Sequence, residues 1–364
     1  MERDRILHIH EVYKPYSGGG AIRISRLLEN SKHTLPTVLC SFKGAENSPR
    51  RETINGVDVI RVKYFKSPVL LFFVVRLLLK YRYRNIHVHN SWVQLLVLPL
   101  ALFSPLILEL HSIKARRGLK SILHRAAINS ARKYIVLSQS AKDYIKGNFG
   151  IDDTNIHVVL NGFIARELGL KSERVKSEKK LKLFYAGSLY EWQGIRNVLD
   201  CAKFFAADKN YEFYIVGDGP MLAEVLEFID VNDLHNISVI ETLKGASFLQ
   251  FISQMDVALV LRPSKLETET AFPLKIPEYI YWGIPILLTD RSAHFELSDY
   301  EKRHDLYSIV RDSCVCEDVQ QLTNNLGRLK AKAQKLKESI DWSEYTWNIS
   351  AEKYEAIYDR SKPH

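Results

Sequence analysis

"RILHIHEVY" (Arg5–Tyr13) and, four residues later, "GGGAIRISRLLENS" (Gly18–Ser31) decide the fold. The first run reads as a β-strand. The second is a glycine loop that runs into a helix. A strand that turns through glycines into a helix is the first half of a βαβ unit, the building block of a parallel sheet.

Outward from this start the same alternation recurs. "PTVLCSF", "VDVIRV", an apolar helix from Pro68, "NIHVHN", a helix from Trp92, "LILELHS", another helix and "KYIVLSQS" follow, and "NIHVVLNGF" closes the series. The charged stretch "ELGLKSERVKSEKKLK" lacks apolar periodicity and reads as a linker. A second series then begins with "LFYAGSL", a helix from Ile195, "EFYIVGDGP", a helix from Met221 and "ISVIET". A helix around Phe248, "VALVL", "AFPLKIPEYIYWGIPILLT", and one helix over Val319 to Lys337 complete it. The expected architecture is α/β, with two Rossmann-like doubly wound parallel-sheet domains and a cleft between them. They span residues 1–165 and 166–341, and an aromatic-rich helix over 342–364 packs back on the first domain. In such sheets ligands sit at the carboxyl ends of the strands.

Composition fits this. The 364 residues are 46% hydrophobic and 26% charged, a globular balance. The net charge of +9 hides an asymmetry. Up to Ala165 there are 25 Lys and Arg against 11 Asp and Glu, or +14; beyond it 26 face 31, or −5. A cationic half suits an acidic substrate, an anionic membrane surface or a nucleic acid. No nucleic-acid motif accompanies the charge. "PVLLFFVVRLLLKYRYR" (Pro68–Arg84) is shorter than the roughly 20 apolar residues a spanning helix needs. It can be a core helix, or it can lie in the headgroup region through Leu70, Phe72, Phe73, Arg76 and Lys80. The four scattered cysteines read as reduced thiols of a cytoplasmic protein.

Gly18, Gly19 and Gly20 allow close backbone approach at a helix start, a natural anion site or else a plain turn. No acidic residue ends the second strand, as a nicotinamide site would require. His111 ends "LILELHS" and His89 ends "NIHVHN", both at strand carboxyl ends. No third ligand at metal-site spacing accompanies them, so no metal is expected. "YAGSLYEWQG" and "IVGDGP" are strand-then-turn elements whose glycines serve a ligand or the turn itself. Lys275 and Glu278 share one face at the start of a helix, as an ion pair or as a ligand site.

In this order the elements resemble the retaining glycosyltransferases of family 4 (glycosyl transferases group 1), with the two-Rossmann-domain GT-B architecture. The resemblance rests on Gly18 to Gly20, His111, "VLSQS" with Ser138 and "VVLNGF" with Asn161 and Gly162 as a hinge. "AGSLYEWQG", "IVGDGP" and "FPLKIPEYIYWGIPILLT" extend it. It implies transfer of a sugar, with retention, from a nucleotide-diphosphate sugar (UDP or GDP) to a lipid-linked or polysaccharide acceptor in surface glycan biosynthesis. No cofactor or metal is implied. Glu278 would accept hydrogen bonds from the ribose, since a carboxylate can take two vicinal hydroxyls at once. Backbone from Phe272, Pro273 and Leu274 to Lys275 would face the diphosphate, with Gly19, Gly20, Ser188, Gln193, Gly217 and Gly219 lining the donor. His111 and Lys275 would be catalytic. The acceptor would sit at the inner face of the cell membrane, with the protein peripheral there.

Three positions depart from the family. Its basic pair after the first strand of the second domain is replaced by Ser188 and Gln193, and Lys275, Arg196 and Arg262 are the cations that could compensate. A second glutamate, eight residues before the ribose one, is replaced by Thr270. These departures keep two alternatives open: a non-catalytic sugar-nucleotide-binding or scaffold partner, and a nucleotide-sugar epimerase of the same architecture.

Overall fold

The computed structural model describes residues 4–16, 18–102, 105–163 and 180–358. The expected linker falls almost wholly outside these residues. The chain forms two compact units. The first comprises Met1–Phe163, Thr270–Phe272 and Ser343–His364; the second comprises Ile164–Glu269 and Pro273–Trp342.

The first unit holds β1 (Asp4–Ile9), α1 (Gly19–Glu29), β2 (Thr34–Ser41), β3 (Arg51–Ile54), β4 (Val57–Val62), α2 (Val69–Lys80) and β5 (Asn85–His89). Next come α3 (Ser91–Val97), β6 (Leu106–Leu110), α4 (Leu119–Asn129), β7 (Lys133–Val136), α5 (Gln139–Phe149) and β8 (Ile156–Val158). The strands lie in the order β3-β4-β2-β1-β5-β6-β7-β8, and every pair is parallel except β3–β4. That exception is a hairpin, which the alternation of strands and helices does not announce. Asn55 and Gly56 both have positive φ, 49° and 82°, as a two-residue hairpin turn requires.

The second unit holds β9 (Leu181–Ala186), α6 (Ile195–Phe204), β10 (Tyr211–Val216), α7 (Leu222–Val231), β11 (Ile237–Ile240), α8 (Gly245–Ile252) and β12 (Val257–Val260). It continues with α9 (Leu266–Thr270, whose last residue belongs to the first unit), α10 (Lys275–Tyr281), β13 (Ile286–Thr289), α11 (Arg303–Leu306), β14 (Ser308–Val310), α12 (Val315–Thr323) and α13 (Leu326–Glu338). Its sheet, β11-β10-β9-β12-β13-β14, is parallel throughout. This is the strand order of a doubly wound nucleotide-binding fold, with its reversal point between β9 and β12. In the first sheet the reversal falls between β1 and β5.

One expected helix is corrected: Val319–Lys337 is two helices. α12 ends at Thr323, and Asn325 caps α13 by accepting from the Arg328 amide at 2.9 Å. Asparagine hydrogen-bonds backbone locally and so favours a cap over a helix interior. The last helix, α14 (Trp347–Tyr358), belongs to the first unit and packs on α1. Gly162 makes room for it, because a Cβ there would lie 2.5 Å from the Trp347 amide nitrogen.

Candidate functional site

In the first unit the neighbouring strands β1, β5 and β6 carry "HIH", "HVH" and "ELH". Side chains two residues apart share a sheet face. Register sets His8 beside His87 and His89 beside Glu109. The result is a buried cluster of His8, His10, His87, His89 and Glu109, with His111 at its partly exposed edge.

Glu109 is the hub. Arg23 of α1 donates to its Oε1 at 2.6 Å and the Tyr354 hydroxyl of α14 donates to its Oε2. Arg23 also donates to Asn161 Oδ1 (2.9 Å) and to the Val159 carbonyl (2.8 Å). Burial alone would raise the Glu109 carboxyl; the Arg23 charge, with His89 and His111, outweighs it and holds the group well below its usual range. Removing either member of such a pair strands a buried charge, at a cost of about 3–5 kcal/mol. His87 Nε2 and His89 Nδ1 lie 3.2 Å from Oε2, and His111 Nε2 lies 3.0 Å from Oε1. None of the three nitrogens meets the carboxylate with hydrogen-bond geometry.

The expectation that His89 and His111 have no third neighbour of ligand type is therefore corrected. His89, Glu109 and His111 form one close group and His8, His87 and His89 another. Sequence spacing hid this because the third members come from adjacent strands. Arg23 already supplies a positive charge to the carboxylate that a cation would need.

His111 sits beside the glycine start of α1. Gly18 is the N-cap, Gly19 the first helical residue, and a Cβ on Gly20 would lie 3.1 Å from His111 Nδ1 and 3.2 Å from His10 Nε2. Thr270, at the position of the family's second glutamate, is buried here. Its hydroxyl accepts from the Ile113 amide (3.1 Å) and its carbonyl accepts from Ser138 Oγ (2.9 Å). Asn161 donates to the Phe272 carbonyl at 3.0 Å, and the Phe272 side chain is buried. Thr270 and Asn161 thus hold backbone in place.

In the second unit the loop after β9 meets the chain leaving β12, at the reversal point of the sheet. Gly194 has φ +85°, and a Cβ there would lie 2.0 Å from the Leu261 carbonyl oxygen. Only glycine allows that approach, which brings Gln193 against Arg262. Arg262 donates from Nε (3.0 Å) and Nη2 (2.6 Å) to the single acceptor Oε1 of Gln193, and its guanidinium lies over the Trp192 ring. Burial draws Arg262 down to about 10, so it stays charged at neutral pH. The Arg262 carbonyl accepts from Thr289 Oγ1 (2.7 Å) and Arg291 Nε (3.0 Å), which fixes this segment. Because Oε1 faces Arg262, the Gln193 amide turns its N–H donors the other way.

α10 begins at Lys275 with no side-chain cap on Leu274, and Pro277 falls in the first turn, where the missing amide costs nothing. Gly283, at φ +69°, ends the helix before β13. Lys275 Nζ lies 3.1 Å from Glu278 Oε2 and 4.2 Å from the centre of the Phe248 ring. Pro273 is buried, and Lys275 and Glu278 are half-buried. Of the other candidate cations, Arg196 pairs with Glu224 on the surface. Ser188 presents its carbonyl to the Tyr185 hydroxyl at 2.8 Å. Gly217 and Gly219 have φ of +151° and +157°, and Cβ atoms there would lie 1.9 Å from the Gly187 oxygen and 2.7 Å from the Leu189 nitrogen. Backbone packing requires both glycines, with or without a ligand.

The membrane assignment of Leu70 is corrected. Leu70 and Val74 are fully buried against the first sheet, and Phe73 packs partly on that core. A helix layered on a sheet must give one stripe to the core, here at i and i+4. The outer stripe is Val69, Phe72, Val75 and Leu79, with Arg76 and Lys80 also exposed. Among the described residues no helix is long and apolar enough to cross a membrane.

Two doubly wound parallel sheets on one chain define the GT-B class. Residues 19–165 match the glycosyltransferase family 4 description and residues 180–331 match glycosyl transferases group 1; the chain belongs to this family of glycosyltransferases. Sucrose-phosphate synthase from Thermosynechococcus elongatus has a TM-score of 0.77 at 15% identity, over 98% of each chain. HepE of Anabaena, in its complex with UDP and glucose, gives 0.72 at 15% identity over 96% of this chain and 98% of its own. The lipopolysaccharide outer core galactosyltransferase WaaB, in apo form, gives 0.64 at 14%, over 97% and 98%. At such identities the likeness concerns the fold. No curated protein matches the chain.

Proposed function

We propose that this glycosyltransferase draws on a nucleotide-diphosphate sugar, UDP- or GDP-linked, and transfers the sugar with retention to a lipid-linked or polysaccharide acceptor of a surface glycan. The observation that carries the reading is the Arg262–Gln193 pair at the reversal point of the second sheet. The family resemblance implies a basic residue at the Gln193 position. Here a buried guanidinium polarises the amide, whose outward N–H groups donate to a diphosphate oxygen. Negative charge grows on the leaving diphosphate in the transition state, and preorganised donors stabilise it there. Lys275 adds a second charge, and Glu278 exchanges part of its contact with Lys275 for the ribose hydroxyls. No metal is required on this reading. The first unit binds sugar through the region of His111 and Gly20.

For acceptor location, the long run from Lys63 to Lys142 holds fourteen Lys and Arg and one acidic residue, Glu109, which is buried. Such a surface, with the apolar outer stripe of α2, suits an anionic bilayer. The protein then works as a peripheral protein at the cytoplasmic face.

A second reading has one observation in its favour: Thr270 stands where the family places a carboxylate, and its groups are engaged in backbone bonds. That reading is a partner that binds the sugar nucleotide without turnover. Incubation with a panel of UDP- and GDP-sugars plus membrane lipid extract separates the cases. Release of free nucleotide diphosphate with a glycosylated product supports transfer. An isomerised donor identifies an epimerase, and binding without either product identifies the non-catalytic partner.

A further inference from the structure

Cys201 and Cys316 stand 115 positions apart in the chain, yet their sulfurs lie 3.6 Å from each other. Cys201 is on α6, fully buried with Val198 and Ala202 in the core of the second unit. Cys316 is in the first turn of α12, half-buried, and packs on the same core beside Val315. The packing of α12 on α6 makes the pair, and nothing in the spacing of the cysteines announces it. At that distance two sulfurs are in van der Waals contact, so no atom separates them. The two thiols are unequal. Their contact draws the Cys316 thiol below its ordinary value, against the opposing effects of burial and of the Glu317 and Asp200 charges. The same contact, and after it burial, raises Cys201. The shared proton therefore stays on the inner sulfur, and the outer one, at a helix N-terminus, takes the thiolate character.

We propose that Cys316 is an oxidation site and Cys201 its resolving thiol, so that a peroxide joins α6 to α12 through a reversible disulfide. Exposure fixes the order of events, because an oxidant in solution reaches Cys316 and not the fully buried Cys201. The Cys316 thiolate attacks one peroxide oxygen. An S–O bond forms, the O–O bond breaks, and the second oxygen leaves as hydroxide, which takes up a proton to become water. Cys316 is then a sulfenic acid, oxidised by two electrons while the peroxide is reduced. The Cys201 sulfur, losing its proton, attacks the Cys316 sulfur. The S–S bond forms, the S–O bond breaks, and the hydroxyl departs with that proton as water. A thiol reductant reverses the cross-link by exchange. Capture by Cys201 also spares Cys316 the sulfinic stage, which is not reversed by thiols. The inference is separate from the sugar-transfer reading, since neither sulfur is among the groups assigned to the donor.

The full chain, reduced, freed of reductant and exposed to a modest molar excess of hydrogen peroxide, tests it by mass spectrometry. Remaining thiols are alkylated after unfolding, and the peptides are mapped. The expected product is a chain lighter by two hydrogens, with one linked peptide pair that joins Cys201 to Cys316. Dithiothreitol should remove the link and return all four cysteines to the alkylated form. Cys314→Ala should keep the link. Cys201→Ala should leave Cys316 as a sulfenic acid that dimedone traps, and Cys316→Ala should leave Cys201 unmodified. A link from Cys314 to either sulfur, or a parent chain whose Cys316 passes to sulfinic acid without a link, overturns the proposal. So does a parent chain in which peroxide modifies no cysteine. The parent and Cys314→Ala carry the pair intact, so their maps decide the matter even if a variant of Cys201 fails to fold.

Discussion

Arg262 places two hydrogen bonds, 3.0 and 2.6 Å long, on one oxygen of Gln193. The arrangement moves a positive charge from the loop after β9 to the end of β12 without leaving the reversal point of the sheet. Charge-assisted bonds are worth about 1.5–3 kcal/mol. Arg262→Met should therefore lower affinity for UDP or GDP by about 10- to 100-fold, read by calorimetry. Thermal stability should fall as well, because Gln193 Oε1 loses both of its donors, so affinity is read well below the variant's melting temperature. Adding Gln193→Lys to that variant should restore much of the affinity. In the parent background the same lysine would face Arg262 and should weaken binding. Nucleotide affinity unchanged by Arg262→Met would refute the role.

Much of the fold was legible because its signals are local. Strand and helix runs alternate from Arg5 to Lys337, and their order carried the two-sheet architecture. The β3–β4 hairpin was missed although "NG" marks it, because the alternation of strand with helix dominated the reading. The break between α12 and α13 was missed because Asn324 and Asn325 fit a helix pattern until a cap is considered. At the site, His111 and Gln193 were visible, but their partners were not. Glu109, Arg23 and Tyr354 lie 86 to 331 positions from one another in contacts that only strand order creates. "HIH", "HVH" and "ELH" on successive strands were the available signal, since period two stacks them once β1, β5 and β6 are known to be neighbours. Arg262 was one of three candidate cations in the sequence. Gly194, by letting the start of α6 reach Leu261, singles it out.

Gly217 separates a structural from a donor-binding glycine. A methyl group there would lie 1.9 Å from the Gly187 oxygen, at a φ that L-residues avoid. Gly217→Ala should cost more than about 2 kcal/mol of stability in chemical denaturation, with no ligand present. A variant as stable as the parent that has lost only nucleotide affinity would contradict the packing account.

On α2 the two stripes should respond differently. Replacing Phe72, Val75 and Leu79 with serines should release the protein from phosphatidylglycerol vesicles in flotation while leaving its melting temperature nearly unchanged. Leu70→Ser should instead destabilise the fold by several kcal/mol (about 2–5), because it places a hydroxyl in the core. Undiminished flotation of the triple variant would rule out α2 as the membrane contact.

The histidine cluster gives stability a pH dependence of known sign. His8, His10, His87 and His89 are all lowered by burial, His10 to about 4 from 6.5. Between those values the unfolded chain binds protons that the folded one refuses. Stability is therefore full above pH 6.5 and declines as pH falls toward 4, by up to about 3 kcal/mol for His10 alone. Facing these rings are Glu109, Arg23, His111, Tyr354 and Tyr358, and of these Glu109 titrates only below its usual range. Urea unfolding at pH 7 and pH 5 should show the loss, and His10→Asn should reduce it. Equal stability at both pH values would mean the histidines are not buried neutral.

The account rests most heavily on Glu278 as the carboxylate that holds a sugar nucleotide's ribose. The direct measurement is release of nucleotide diphosphate from the UDP- and GDP-sugar panel, with parent chain and Glu278→Ala compared at saturating lipid acceptor. The account predicts release by the parent from one donor, and at least about a tenfold rise in that donor's apparent KM in the variant. Identical kinetics in the two proteins would contradict it, leaving Lys275–Glu278 as a surface ion pair and nothing more.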